Sequence, residues 1–414
     1  MTKLIGLSSS LRTRTPEETL ELACKTADCL GITRVVDTTW LDKIGVPVFS
    51  SIRPRAQNNS LCVNAGKGLR SIEAKVGAYM EAIEFALAEF TPSRDLDCLV
   101  AMTPRELNEL YQPYFKFVDF CPNYQLIIDA DIPIFALKAK EVMNGGEVFI
   151  PAELVFHPFN DNKLATIFGT STNGLCSGNT LEEAAIHGVF EVIERDIQSF
   201  YFIQEESYLV AHSTYPPNIK ELLYKCQQAG LDLQIRYTPN RYGLAYIMAF
   251  LIEPSLEAPI AISTGYGTHT SASIASVRAI TEAIQSRLSY IHGGRDDLID
   301  RYDYFEQRDK AVELSGMKTL HQRAYNKSRQ CEFSFIPSFD DLTDTKSVTT
   351  FIHHSLRKNG INQYFLYDLS QPGDELHVCK IVIPTLEGFQ PNSKVRVGPR
   401  LKQAILSKVN EHDS

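Results

Sequence analysis

Acidic side chains recur at helical spacing inside otherwise apolar stretches of this chain. In YMEAIEFALAEF, Glu81 and Glu84 stand three residues apart, among Tyr79, Met80, Ala82, Ile83, Phe85 and Ala86. A helix turns about 100° per residue, so the two carboxylates are neighbours on one face. In TLEEAAIHGVFEVIERD, Glu183, Glu191 and Glu194 are related by steps of eight and three residues, and Arg195 follows directly. On a helix they fall within roughly 80° of one another and form one acidic stripe. In SVRAITEAIQSRLSYI, Arg278, Glu282 and Gln285 occupy i, i+4 and i+7, again one face. Arg287 lies about half a turn from Arg278 and faces elsewhere.

Like charges at this spacing repel unless solvent or a cation offsets them. A solvated helix face is the bland alternative for each stripe. The chemical alternative is a cleft in which carboxylates from separate helices hold Mg²⁺, a hard cation that takes oxygen ligands and usually shares them with nucleotide phosphates. Arginine and lysine then meet the remaining phosphate charge. Other nucleotide and hydrolase signatures are missing. The sequence has no GxxxxGK[ST], no GxGxxG, no HExxH and no GxSxG. The string TGYGTHT around Gly265, Gly267 and His269 fits none of them. His353 and His354 lack the partner spacing of a metal site, and His187, inside the acidic helix, reads as a packed residue.

The elements that would position these groups follow from pattern. Thr15 caps a helix that Pro16, Glu17 and Glu18 begin. Residues 32–39 alternate like a strand, and 41–48 read as a turn and a short strand with Trp40 packed beside it. SLCVNAGKGL is strand-like, ends in a glycine turn and leads into a helix near 71–90. Similar glycine-to-helix units recur at 170–203 and 265–291. Strand-rich segments are expected at 125–137, 147–154 and 243–252, a polar helical region at 296–330, and a βα-like segment from 362 onward. The fold class is therefore α/β, mixed α+β, neither a P-loop nor a Rossmann fold. No linker composition divides it.

Composition narrows the function. The formal charge of -9 offers no basic excess for nucleic acid. Nine irregularly spaced cysteines with no CxxC pair suit reduced thiols in the cytoplasm, not a disulfide framework or a zinc site. The best apolar run, 244–252, is far short of the ~20 residues that span a bilayer, and the N-terminus lacks the apolar core of a signal peptide. No nucleic-acid or membrane partner is expected.

Read in order, seven strings resemble the YcaO family. They are PEETL (16–20), GITRVVDTTWLDKIGVPVFSSIRP (31–54), GKGL (66–69), AYMEAIEFALAEF (78–90), GLCSGNTLEEAAIHGVFEVIERD (174–196), GTHTSASIASVRAITEAIQSRLSYIHGGRDD (267–297) and IPTLEG (383–388). The resemblance implies a YcaO-type fold with ATP between sheet and helix layers. It implies one catalytic domain over 15–400, in one or two lobes, with 1–14 as an N-terminal extension and 401–414 as a C-terminal tail. It implies Mg²⁺ at Glu81, Glu84, Glu183, Glu191 and Glu194. ATP contacts are implied at Lys67, Asn179, Glu183, Arg195, Arg278, Glu282 and Gln285. The implied activity is ATP-dependent phosphorylation of a peptide or protein backbone amide oxygen, so that a nucleophile replaces it. The catalytic base is not indicated.

Three departures bear on the product. Gly77 and Cys176 stand where the family often has small hydroxyl residues, Thr385 stands where glycine is common, and RLKQAILSKVNEHDS lacks the proline-rich end of azoline-forming members. These favour thioamidation or another non-azoline modification over cyclodehydration to azolines. A non-catalytic ATP-binding accessory protein is the reading of another class. The expected partners are a peptide or protein substrate and a separate TfuA-like or peptide-recognition protein, with a homodimer as the family's common state.

Overall fold

A computed structural model describes residues 2–412 other than 162, 202, 204, 259, 297, 299–309 and 389–395. Three strand-then-helix units organise it. β5 (Val63–Lys67) runs into α2 (Ser71–Ala88), β9 (Leu175–Gly178) into α5 (Leu181–Tyr201), and β13 (Ile262–His269) into α7 (Ala272–His292). Each of these strands ends the order of its own sheet. β5 closes the antiparallel sheet β3-β4-β5, in which β3 is Arg34–Asp37 and β4 is Val48–Ile52. β13 closes a five-stranded sheet that continues through β12 (Ala245–Ile252), β11 (Asp232–Tyr237), β10 (Tyr208–Val210) and β14 (Gln330–Cys331). β9 closes a sheet that continues through β16 (His377–Val382), β15 (Phe365–Asp368) and β7 (Ile134–Glu141) to β6 (Val100–Met102), with β8 (Glu147–Pro151) also on β7. A short hairpin, β1 (Ile5–Gly6) with β2 (Leu11–Arg12), precedes α1 (Pro16–Cys29).

Local chemistry explains these elements. α1 starts with a reciprocal capping box between Thr15 and Glu18 and with Pro16 in its first turn. β12 reads AYIMAFLI and is buried along its whole length. Tyr246, Met248, Phe250 and Ile252 pack into one core, while Ala245, Ile247, Ala249 and Leu251 pack into another. A strand apolar on both faces needs a layer on each side, which α7 and α5 help to supply.

The helices are seated on their strands through glycine. A Cβ on Gly66 would lie 2.1 Å from the Ala74 carbonyl oxygen, and one on Gly265 would lie 2.2 Å from that of Ala279. Only glycine allows backbone to approach backbone so closely. Alanines 74, 78, 279 and 283 face these glycines from the helices and are fully buried.

Several expectations change. The strand expected from 125 begins only at Ile134, because 125–133 is an irregular loop held partly by Asn and Asp side chains bonding to nearby backbone. Trp40 lies over Gly45 but remains 78% exposed, so it caps the turn instead of joining the core. The segment from 362 is a β-hairpin, β15 with β16, followed much later by a helix at Pro399–His412. Of the helical region expected at 296–330, residues 299–309 lie outside the described residues and Lys310–Ala324 is helical. His353 is on helix Thr345–Lys358 and meets the Tyr364 hydroxyl at 3.2 Å.

Candidate active site

The three edge units meet at two adjoining cavities of about 210 and 420 Å³. Ala65, Lys67, Glu81, Glu84, His187 and Arg278 line both, so the two form one groove. All eleven residues singled out from the sequence line it. Asn179 and Glu183 lie on the smaller chamber. Glu191, Glu194, Arg195, Glu282 and Gln285 lie on the larger one.

An edge strand leaves backbone groups unpaired, and here site side chains satisfy them. Glu81 accepts the Ala65 N–H at 3.0 Å, and Gln285 donates to the Ala65 carbonyl at 2.6 Å. Glu282 accepts the Tyr266 N–H at 3.4 Å and pairs with Lys67 at 2.9 Å. Glu183 accepts the Thr13 N–H and hydroxyl, pairs with Arg12 at 3.1 Å and accepts the Asn179 N–H. Ser177 donates to Glu84 at 2.5 Å, and Cys176 points its thiol at Glu191 from 3.5 Å. Arg195 bonds to Gln198 at 3.1 Å. The Arg278 carbonyl accepts the Thr281 hydroxyl at 3.2 Å, while the Arg278 guanidinium makes no hydrogen bond or ion pair with a described residue. Arg287 turns away to Asp42 and Glu253.

The electrostatics describe a groove short of cations. Burial pushes the Glu84 carboxyl up to about 8, with Glu81 and Glu191 adding repulsion. Burial likewise pushes Glu194 up to about 7, with Glu282 adding to it against the pull of Arg195 and Arg278. Burial also opposes ionisation of Glu183 and Glu282, but their cationic and hydrogen-bond partners outweigh it and hold both below the usual carboxylate range. Among the described residues, no three His, Cys, Asp or Glu side chains already converge tightly enough to hold a metal ion. A divalent cation here would need further oxygens, which nucleotide phosphates supply. Carboxylates kept protonated chiefly by burial, with mutual repulsion adding to it, fit such a cation, since it would offset the charge that burial penalises.

Sequence reasoning missed part of the groove. Arg12, Arg14 and Ser9 come from the N-terminal 14 residues, set aside as an extension, yet they line the smaller chamber. The basic LRTR string was the available signal. His187, read as packed, lines both chambers. Burial and the nearby Arg278 and Arg12 hold it neutral, well below its ordinary range.

Asp196, next to Arg195, faces away from the groove and is 2% exposed. It accepts the Tyr242 hydroxyl at 2.6 Å, the Glu387 N–H at 2.7 Å and the Arg400 guanidinium at 2.7 Å. One buried carboxylate thus ties α5 to the IPTLEG loop and to the helix Pro399–His412. Among the described residues, no helix is long and apolar enough to cross a membrane.

Comparison with known proteins agrees with this architecture. The chain is 30% identical over 400 residues to an uncharacterized protein of Methanothermobacter thermautotrophicus, covering 94% of this chain and 98% of the relative. It is 26% identical over 407 residues to an uncharacterized protein in the tfuA 3' region of Rhizobium leguminosarum bv. trifolii, covering 95% and 93%. Its fold matches the structure of YcaO from Methanopyrus kandleri bound with AMPPCP and Mg²⁺, with a TM-score of 0.71, 20% identity, and 96% and 98% of the two chains covered. It also matches a heterocyclase in complex with substrate and cofactor, with a TM-score of 0.74, 19% identity, and 95% and 55% covered. Residues 65–387 match the family model described as YcaO cyclodehydratase, ATP- and Mg²⁺-binding. With that match spanning most of its length, the chain belongs to the YcaO family.

Proposed function

We propose that this protein uses Mg-ATP to activate a backbone amide of a peptide or protein for replacement of its oxygen, with thioamidation or another non-azoline modification as the outcome. The observation that carries the reading is the groove itself. Seven glutamates and the cations Lys67, Arg195 and Arg278, drawn from three separate sheet edges, line one continuous cavity. Glu81, Glu84, Glu183, Glu191 and Glu194 would hold Mg²⁺, and Lys67, Asn179, Glu183, Arg195, Arg278, Glu282 and Gln285 would hold ATP. Bound Mg²⁺ would supply charge neutralisation for the phosphoryl group in transfer.

The overall chemistry balances. A nucleophile adds to the amide carbon, and the C=O electron pair moves to oxygen. That oxygen takes the γ-phosphoryl group, and ADP leaves. The carbon–oxygen bond then breaks, phosphate departs, and with hydrosulfide as nucleophile the S–H proton is released with it, so that a C=S bond forms and a thioamide remains. Amide oxygen is a poor leaving group and phosphate a good one, which is the reason for the ATP. Arg195 and Arg278 would meet the charge on the phosphates. The relative in the tfuA 3' region supports a TfuA-like partner that delivers sulfur or peptide.

Heterocyclase and microcin synthetase structures among the fold's neighbours support azoline formation as the rival product. Product mass separates the two. Exchange of oxygen for sulfur adds mass, and cyclodehydration loses one water. Calorimetry of the isolated chain with ATP, with and without Mg²⁺, tests the shared part of both readings. Nucleotide affinity that ignores Mg²⁺ would sink them together.

A further inference from the structure

The acidic stripe of α5 does not end at Glu194. Steps of four, four, three and four residues link Glu183, His187, Glu191, Glu194 and Gln198 along one helix face. The last position carries an amide where the pattern would take another carboxylate. Gln198 is 8% exposed and lines neither chamber of the groove. Its side-chain oxygen instead accepts a hydrogen bond from Nη1 of Arg195 at 3.1 Å.

Two other cations of the groove are held differently. Lys67 pairs with Glu282 at 2.9 Å and Arg12 with Glu183 at 3.1 Å, so the anchor of each also offsets its charge. The anchor of Arg195 is neutral. Burial opposes the Arg195 charge, but Glu191, Glu194 and Glu282 outweigh it and hold the guanidinium above its ordinary range. A guanidinium carries five N–H donors in a planar fork, and its Nε–Nη2 edge can meet an oxyanion through two parallel bonds. The bond to Gln198 uses one Nη1 proton and leaves that edge for a ligand.

We propose that Gln198 is a positioning residue for nucleotide binding: its amide fixes Arg195 at the wall of the larger chamber and leaves the guanidinium charge whole for a phosphate. The inference rests on the contact between Arg195 and ATP proposed above. A glutamate at 198 would fix the guanidinium equally well but offset its charge. An aliphatic side chain would leave it free to swing toward Glu191, Glu194 or Glu282. The amide gives direction without neutralisation, from a residue that does not itself reach the groove.

The test is calorimetric titration of the full chain with Mg-AMPPCP, with circular dichroism confirming that each variant is folded. Gln198→Met keeps the length of the side chain and removes its oxygen, and should weaken binding about tenfold. Gln198→Glu should weaken it further. In an Arg195→Met background, Gln198→Met should change the affinity by less than about twofold, because its effect runs through the guanidinium. A merely structural role would give the same loss in both backgrounds, and that result would overturn the proposal. Native affinity in Gln198→Met beside weakened binding in Arg195→Met would overturn it too, while leaving the phosphate contact standing. Native affinity in Arg195→Met would remove that contact and the positioning role together. Crystals of the native protein with Mg-AMPPCP give a reading that needs no variant. Gln198 Oε1 should stay within hydrogen-bond reach of Arg195 Nη1 while Nε and Nη2 face a phosphate oxygen, and an Arg195 turned away from Gln198 would refute the assignment.

Discussion

Loading the groove should expel protons. Without metal, Glu84 titrates at about 8 and Glu194 at about 7. At pH 7 the first is about 0.9 protonated and the second about 0.5. A divalent cation favours the ionised form of both, so binding of Mg-AMPPCP at pH 7 should release between one and two protons. The number should approach two at pH 6 and fall below about 0.5 at pH 8.5. Affinity should therefore rise with pH across this window, with a slope equal to the protons released. The assay is calorimetry of the chelator-stripped protein in buffers of different ionisation enthalpy, with magnesium in excess so that the nucleotide arrives fully ionised. Glu84→Gln should remove about 0.9 of a proton at pH 7. No release in the native protein, or a release that Glu84→Gln leaves untouched, would refute the electrostatic account of the groove.

Four further outcomes can be checked. Glu84 and Glu194 keep protons in the folded chain at pH values where an ordinary carboxylate, near 4.5, has lost them. Their contribution to stability therefore declines as pH rises from that value toward 7 and 8, and Glu84→Gln should flatten the fall of the thermal midpoint between pH 5.5 and 8.5 in chelator. Glu191→Ala or Glu194→Gln should abolish Mg-dependent ATP turnover while circular dichroism stays native. Gly66→Ala and Gly265→Ala drive a methyl to 2.1 and 2.2 Å from a backbone oxygen, so each should cost about 3 kcal/mol or more in denaturant unfolding. Asp196→Ala leaves a hydroxyl, an N–H and a guanidinium without their acceptor, and should cost about 3 kcal/mol and expose the helix Pro399–His412 to proteolysis.

Much of the groove was legible because its carboxylates sit at helical spacing among apolar residues, a placement that a solvated surface helix does not need. Gln285 and Arg278 were legible for the same reason, and Arg287 was excluded by angle alone. The glycine-to-helix units were visible as strings, but nothing local told that β5, β9 and β13 would each end a sheet, since strand order depends on long-range pairing. Arg12 and His187 were missed for opposite reasons. Arg12 lies in a short polar hairpin with little periodicity, and only its pairing with Glu183, 171 residues away, gives it a role. His187 stands in a run whose apolar neighbours disguise a residue facing the cavity. The helix Pro399–His412 read as a tail because its anchor, Arg400, depends on Asp196, far off in the chain.

The sheet edges carry one more consequence. Glu81, Glu183 and Glu282 each hold a backbone N–H, so several of the groove's carboxylate oxygens are already engaged. An incoming ion does not simply add to such a surface. It must compete with existing bonds for the same oxygens, and a singly charged, weakly coordinating visitor such as potassium has little to offer in exchange. Discrimination in favour of a doubly charged ion arriving with its phosphates would then begin in the resting protein, through contacts that keep its strands in place.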